Sequence, residues 1–245
     1  MTRYILKISY DGTCFCGWQT QKNGVSVQQT LETALKTIAK GDIKLVGSGR
    51  TDSGVHAYAQ VAHVDMETSV PAKKIKDAVN AKLPSSVVVL SSELAPDGFH
   101  ARYSAKRKTY IYRTYISSIR QPLKDRYALQ LKDEPDIDKM KEGAREIIGK
   151  HDFKCFLATN SSVKDTVREV YELDIERQGD EIVFSVCGNG FLYNMVRIIV
   201  GTLLEIGYNK KSVDTLKTAI ESGDRKLCGK TVSGKGLALK SVEYI

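Results

Sequence analysis

The sequence of 245 residues predicts an α/β (α+β) protein with two α/β sub-domains, residues 1–105 and 106–245. Segments typical of strands alternate with segments typical of helices along both halves. No stretch rich in Pro, Gly or Ser separates the halves. We therefore expect them to share one continuous mixed, largely antiparallel sheet, with a cleft along their seam. A hydrophobic content of 42% and a charged content of 27% are typical of an ordinary globular protein.

The first half is predicted to have the order βαββαβ. Ser26 followed by Gln29 forms a capping box, which predicts the start of a helix that Gly41 ends. Pro71 fits the first turn of a second helix. Neither a Gly-rich dinucleotide-binding signature nor a P-loop occurs. The alternation of apolar residues and the β-branched runs predict strands over residues 3–10, 43–46, 58–66 and 86–94.

The second half repeats this mixture without visible sequence repetition. Asp136 is a candidate N-cap of a helix that Gly149 ends. A turn at residues 178–180 predicts a hairpin. Strands are predicted over residues 109–116, 167–175, 182–186 and 237–244, and further helices over 191–206 and 212–221.

Positive charge is concentrated in one segment. The net charge of +8 arises from 37 basic and 29 acidic residues, and residues 100–126 contain eight Lys and Arg against a single acid, Asp125. Basic groups neutralise phosphates and aromatic rings stack on unpaired bases, so this mixture favours looped or single-stranded RNA. A solvated basic face with tyrosines packed in the core is the alternative. The tyrosines of the segment are Tyr103, Tyr110, Tyr112 and Tyr115.

The cysteine content and the apolar runs indicate a cytoplasmic protein. The five cysteines are scattered and odd in number, which is typical of a reducing compartment. The N-terminus alternates like a strand and lacks the pattern of a signal peptide, and no run of eighteen apolar residues occurs. Cys14 and Cys16 form a C-x-C pair without a second pair, so we expect no metal site and no association with a membrane.

The run GSGRTDSGVHAYAQ, residues 47–60, is the strongest candidate for a catalytic loop. Asp52 stands close to Arg50 and to several glycines, and His56 follows four positions later. Glycine allows the backbone to approach a ligand closely, and loops at the ends of strands often carry catalytic groups. An ordinary surface turn is the alternative, because Asp beside Ser and Gly is common turn chemistry.

Arg197 is the unusual residue of the second half, because it lies in the apolar run NMVRIIVGTLL. A buried arginine must extend its charge to the surface or pair with an acid, since an unpaired buried charge is costly. The functional hypothesis is that Arg197 supports a carboxylate, for which Asp52 is the natural candidate.

Five motifs, in this order, resemble those of the tRNA pseudouridine synthase A family. The resemblance covers nearly the whole chain, from residue 10 to residue 244. The motifs are YDGTCFCGWQTQ (10–21), GSGRTDSGVHA (47–57), NAKLP (80–84), FHARYSAKRKTYIY (99–112) and GFLYNMVRIIVGTLLEIG (190–207).

The resemblance implies the activity, the partners and the fold. The family isomerises uridine to pseudouridine at positions 38, 39 and 40 in the anticodon stem-loop of tRNA, without a metal or an organic cofactor. It acts as a homodimer. Its fold consists of two α/β halves around a continuous mixed sheet, with a central basic RNA-binding cleft. These are our expectations for this chain.

The resemblance also implies roles for single residues. Asp52 would be the nucleophile that acts on a flipped uridine, and Arg197 would be its basic partner. Tyr110 would pack on the target base, and its hydroxyl could take part in removing the C5 proton. Arg50 would fill the gap that the flipped nucleotide leaves or hold a phosphate. We interpret His56 as structural rather than catalytic.

One departure from the family lies near the C-terminus. Family members commonly have T-A-P-A-x-G-L there, whereas residues 231–237 of this chain read TVSGKGL, without the proline. The departure concerns local rigidity or RNA contacts and leaves the chemistry in place.

Two alternative functions differ from this hypothesis. A catalytically inert RNA-binding homologue would keep the basic cleft, but it would be expected to lose some of Asp52, Arg50, Tyr110 and Arg197, all of which are present. A metal-dependent hydrolase would use Asp52 and His56 as ligands, but no further carboxylate or histidine lies at a supporting spacing.

Overall fold

The computed structural model describes residues 1–22, 24–158 and 163–244, which form two units. Unit 1 comprises Met1–Lys106 together with the chain from Ala238 onward, and unit 2 comprises Arg107–Leu237. The boundary therefore lies one residue after the predicted one. The C-terminal strand, which we assigned to the second sub-domain, groups with unit 1.

Strands and helices interchange along both units, which confirms the mixed α/β class. The helices are α1 (Val27–Lys36), α2 (Ile75–Asn80), α3 (Pro122–Asp125), α4 (Ile137–Arg145), α5 (Met195–Gly207) and α6 (Asp214–Ser222). The strands are β1 (Thr2–Tyr10), β2 (Lys44–Gly47), β3 (His56–Met66), β4 (Val87–Leu94), β5 (Arg107–Ile116), β6 (Leu129–Leu131), β7 (Gly149–Asp152), β8 (Val167–Gln178), β9 (Glu181–Gly188) and β10 (Leu237–Glu243).

Pairing within each unit is mostly antiparallel, as expected. In unit 1, β1 lies between β3 and β4, β2 pairs with β3, and β10 pairs in parallel with the start of β3. In unit 2, β9 lies between β5 and β8, β7 continues beyond β8, and the short β6 runs parallel to β5.

The core of each unit follows from burial of the apolar faces that the sequence predicts. In unit 1, Leu6 and Ile8 of β1 and Leu31 and Leu35 of α1 are fully buried. In unit 2, α5 buries every residue except Arg197 and Glu205, as expected for a helix that is apolar nearly all round. Within the described residues, none of the helices combines the length and the apolarity that crossing a membrane requires.

Every predicted strand and helix is present, but four ends differ markedly. Pro71 lies outside α2, which begins at Ile75, because the residues between them, Ala72–Lys74, form a 3-10 turn. Helix α1 ends at Lys36, before Gly41, and α4 ends at Arg145 because Gly149 begins β7 instead. Helix α5 begins at Met195, since Asn194 has a left-handed φ of 61° that a continuing helix excludes. The short elements α3, β6 and β7 were not predicted, because three or four residues give no periodic signal.

His63 is a buried polar residue of β3, with only 1% of its surface exposed. Its Nδ1 atom accepts a hydrogen bond from the Ala101 N–H at 3.0 Å. Burial, with a smaller contribution from the charge of Arg3, lowers the pKa of His63 from 6.5 to about 4. A buried neutral imidazole thus serves as a fixed acceptor for the main chain.

We predict that acidification destabilises the fold through His63. Between pH 6.5 and about 4, the unfolded chain binds a proton at His63 that the folded chain does not bind. The free energy of unfolding therefore rises with pH in this window and is lost as the pH falls. Urea denaturation at a series of pH values measures this slope. In His63→Asn, which keeps an acceptor atom, the slope should decrease, and an unchanged slope would contradict the assignment.

Candidate active site

The loop between β2 and β3, residues 48–55, is anchored by a buried glutamine. Gln60 of β3 and Ser48 are both fully buried. The Ser48 hydroxyl donates to Gln60 Oε1 at 2.6 Å, and Gln60 Nε2 donates to the Gly49 carbonyl at 3.0 Å. Because a buried polar group must keep its hydrogen bonds, moving this loop would take from Gln60 Nε2 its acceptor at Gly49.

A second set of contacts holds the loop at Thr51. Its hydroxyl shares a hydrogen bond of 2.8 Å with the Tyr10 hydroxyl, and its carbonyl accepts from the Trp18 N–H at 3.0 Å. Burial raises the pKa of Tyr10, so that its hydroxyl stays protonated. Gly17 has φ = 111°, and a Cβ atom there would lie 2.6 Å from the Thr51 carbonyl oxygen. The motif at residues 10–21 thus packs directly on the residue before Asp52.

Asp52 lies in the turn that follows. The Val55 N–H donates to the Asp52 carbonyl at 3.2 Å, and Gly54 provides the left-handed φ of 73° that closes the turn. Asp52 is half-buried, whereas Arg50 is exposed. The anchored loop therefore presents one partly accessible carboxylate and one exposed guanidinium.

His56 lies at the start of β3 and is buried. Its Nδ1 atom accepts from the Gly12 N–H at 3.0 Å and lies 3.2 Å from Asp11 Oδ1. The side chain therefore ties the segment after β1 to β3, in line with the structural interpretation. Within the described residues, no group of three His, Cys, Asp or Glu side chains is arranged to hold a metal ion.

Tyr110 lies in unit 2, on β5, where it pairs in register with Val186 of β9. Its side chain is buried, and its ring meets the ring of Phe191 edge-on, with 5.3 Å between the centroids. Phe191 precedes α5, so Tyr110 is in contact with the segment that leads to Arg197.

Arg197 is the third residue of α5 and is half-buried. Its Nε atom donates to the Val232 carbonyl at 2.7 Å, and Nη1 donates to Asn194 Oδ1 at 2.5 Å. A cation in the first turn of a helix opposes the helix dipole. The neutral oxygens of Val232 and Asn194 therefore hold the guanidinium at a position that the dipole disfavours.

The loop at residues 231–236 contributes to the site through main-chain atoms. Besides the Val232 carbonyl, the Ser233 carbonyl accepts from the Tyr112 hydroxyl at 2.8 Å. Burial raises the pKa of Tyr112, and the charge of Arg197 acts in the opposite direction. Sequence reasoning noted this loop only as a departure from the family. Its role was missed because carbonyl oxygens carry no side-chain signal.

The basic segment is less positive than its composition indicates. Acids from elsewhere in unit 2 pair with three of its basic residues. The pairs are Arg107–Glu172, Arg113–Glu181 and Lys124–Asp180, at 3.5, 3.0 and 2.5 Å. Only part of the predicted charge is therefore available to an anionic partner.

The four predicted site residues fall into two pairs. Arg50 and Asp52 share the β2–β3 loop of unit 1, and Tyr110 and Arg197 belong to unit 2. The first pair lies on a loop anchored by the buried Gln60, and Tyr110 and Arg197 are held by a ring contact and by hydrogen bonds within unit 2.

Comparison with known proteins gives a consistent result. Residues 7–104 and 144–245 match the family model described as tRNA pseudouridine synthase, and Tyr110 lies outside the matched residues. The chain is 44% identical over 240 residues to tRNA pseudouridine synthase A 2 of Clostridium perfringens, covering 98% of each chain. It is 45% identical to tRNA pseudouridine synthase A of Bacillus subtilis, covering 97% of each chain. Identity to the enzyme of Halalkalibacterium halodurans is 44%, covering 97% of this chain and 90% of that one.

The family model matches well over half of this chain, and these relatives align along nearly its entire length at more than 40% identity. With the β2–β3 loop and α5 both inside the matched residues, the chain belongs to the tRNA pseudouridine synthase family.

Proposed function

We propose that this protein isomerises uridine to pseudouridine at positions 38, 39 and 40 in the anticodon stem-loop of tRNAs. Membership of the tRNA pseudouridine synthase family implies that the protein converts uridine to pseudouridine in tRNA. This reaction is an isomerisation, so the protein is an isomerase. The choice of positions rests on the resemblance of the ordered motifs. The observation that supports the chemistry best is the half-buried carboxylate of Asp52 on its anchored loop.

The reaction requires a group that acts on the sugar or the base of the target nucleotide. The bond from ribose C1′ to uracil N1 breaks, the base turns over, and a bond from C1′ to C5 forms. C5 loses its proton, and N1 gains a proton. Aspartate titrates at about pH 3.9 in peptides, so a carboxylate is an anionic nucleophile without prior activation. We assign this role to Asp52.

Three further residues receive roles in this proposal. Arg197 keeps the Asp52 carboxylate ionised and oriented through a charge-assisted interaction. Its anchoring by two neutral oxygens supports a guanidinium placed for an anion. Tyr110 packs against the target base, and its hydroxyl assists removal of the C5 proton. The exposed Arg50 holds a phosphate or fills the gap while the nucleotide is flipped, a step that costs a few kcal/mol.

We also propose how the protein binds its tRNA, in which compartment it works and in which oligomeric state. A basic cleft binds the tRNA, supported by those cations of the basic segment that are not neutralised by acids of unit 2. The protein works in the cytoplasm, where tRNA is modified, and it forms a homodimer. The homodimer rests on the resemblance to the family.

Replacing Asp52 tests the nucleophile. We expect Asp52→Asn to reduce pseudouridine formation on an unmodified tRNA transcript by roughly three orders of magnitude or more, because the anionic nucleophile is lost. Binding of the transcript should change little. Asp42→Asn removes an exposed carboxylate of the same unit and should leave the rate unchanged. A fully active Asp52→Asn enzyme would contradict the assignment, and an inactive wild-type protein that binds tRNA would favour the inert homologue.

Replacing Tyr110 by phenylalanine separates the ring from the hydroxyl. If the hydroxyl assists proton removal, the rate of a single turnover should fall about 10²-fold or more, while KM stays close to that of the wild type. Tyr4→Phe, which removes the hydroxyl of another buried strand tyrosine, is the matched control. Undiminished turnover in Tyr110→Phe would leave only the packing role.

The homodimer is tested by light scattering coupled to size-exclusion chromatography. We expect a mass twice that of the chain over a tenfold range of protein concentration. A monomer mass throughout this range would refute the proposal.

A further inference from the structure

The turn at residues 99–104 of unit 1 has almost all of its main-chain groups fixed. The His100 N–H donates to the Ser104 hydroxyl at 3.0 Å, and the Ser104 N–H donates to the His100 carbonyl at 2.9 Å. The buried His63 accepts the Ala101 N–H. These bonds close the turn on itself and tie its base to β3.

The same turn is also held from outside and from within. Arg3 Nη1 donates to the Phe99 carbonyl at 2.7 Å, and the Tyr244 hydroxyl donates to the Ala101 carbonyl at 2.8 Å. Inside the turn, Nδ1 of His100 accepts the N–H groups of both Arg102 and Tyr103 at 3.2 Å. The tip of the turn, residues 102–103, therefore has one preformed conformation.

This rigid turn presents an aromatic ring to solvent. Tyr103 is 76% exposed, although it stacks on the ring of His100 with 4.4 Å between the centroids and 28° between the planes. The ring of His100 also contacts the ring of the buried His63, with 4.7 Å between the centroids. The stack holds the exposed ring in place before any partner binds, which lowers the entropic cost of binding.

The charge around Tyr103 favours an anionic partner. The guanidinium carbon of Arg102 lies 5.7 Å from the centroid of the Tyr103 ring, and Arg102 and Lys106 are both exposed. Unlike Arg107, neither forms an ion pair with any residue that the structure describes. Residues 99–108 contain no acid. An aromatic ring beside one available cation, with a second exposed cation three residues further along the chain, suits a base together with its phosphates.

We propose that Tyr103 is a stacking platform for an unpaired base of the tRNA substrate, other than the base that is isomerised, with Arg102 and Lys106 contacting the adjacent phosphates. This proposal rests on the proposed function, since it deepens the recognition of the same substrate. The exposed ring supplies stacking that tolerates any base, and the two cations supply affinity that depends on salt. Tyr103 is thus a substrate-binding residue that touches no reacting atom.

Binding of an unmodified tRNA transcript, measured by fluorescence anisotropy, tests the platform. All variants carry Asp52→Asn, so that the RNA is not converted during the measurement. We expect Tyr103→Ala to raise the Kd about tenfold and Tyr103→Phe to keep it within about twofold, because phenylalanine preserves the ring face. Tyr127→Ala is the matched control, since Tyr127 is also exposed and has an arginine, Arg126, over its ring at 5.5 Å.

The salt dependence and a cross-link complete the test. Arg102→Ala should reduce the magnitude of the slope of the logarithm of the binding constant against the logarithm of the salt concentration by about one. A 5-iodouridine transcript irradiated with the wild-type protein should cross-link to the peptide that contains Tyr103, which decides the question if Tyr103→Ala is unstable.

Three results would overturn the proposal. The first is that Tyr103→Ala and Tyr103→Phe bind the transcript with equal affinity. The second is that Tyr127→Ala loses as much affinity as Tyr103→Ala. The third is that the cross-links avoid Tyr103, as they would if a protein partner covered this turn. Failure of the proposed function is distinguishable, since it would be an absence of pseudouridine formation by the wild-type protein.

Discussion

Buried side chains that hydrogen-bond to the main chain hold the loops on which the candidate functions depend. Gln60 fixes the first turn of the loop that carries Asp52, and His63 fixes the turn that carries Tyr103. In unit 2 the relation is reversed, because the Val232 carbonyl fixes the guanidinium of Arg197. Since an unsatisfied buried polar group costs about 1–3 kcal/mol, each of these arrangements resists displacement. A rigid loop on a strand scaffold is what a reacting carboxylate requires.

Ion pairs divide the basic residues of the segment 100–126 into neutralised and available cations, although the composition counts them all alike. Residues 100–126 carry most of the excess positive charge, but Arg107, Arg113 and Lys124 pair with acids that are distant in the sequence. Arg102 and Lys106 lie outside these pairs and are exposed, and the Arg102 guanidinium lies over the exposed ring of Tyr103. Exposed pairs contribute little to stability, yet they neutralise cations that would otherwise attract phosphate. The positive charge available to an anionic partner therefore resides on fewer cations than the sequence count indicates.

Arg197 illustrates how local structure changes the meaning of a residue. The apolar run predicts an arginine within a helix that begins at residue 191. The helix begins at Met195, because Asn194 adopts a left-handed conformation, and Arg197 consequently lies in the first turn. There the helix dipole disfavours a cation. The carbonyl of Val232 and the side chain of Asn194 hold the orientation of the guanidinium there.

The sequence by itself determined the mixed α/β class, each long strand and helix, and the family, because periodicity and ordered motifs are local properties of the chain. It also singled out Asp52, since glycines, Arg50 and the following strand are its neighbours in sequence. Only the tertiary structure decided that Gln60 anchors this loop, that β10 groups with unit 1, and which cations are neutralised. These depend on contacts between residues far apart in the chain, often through main-chain atoms whose partners no sequence pattern specifies.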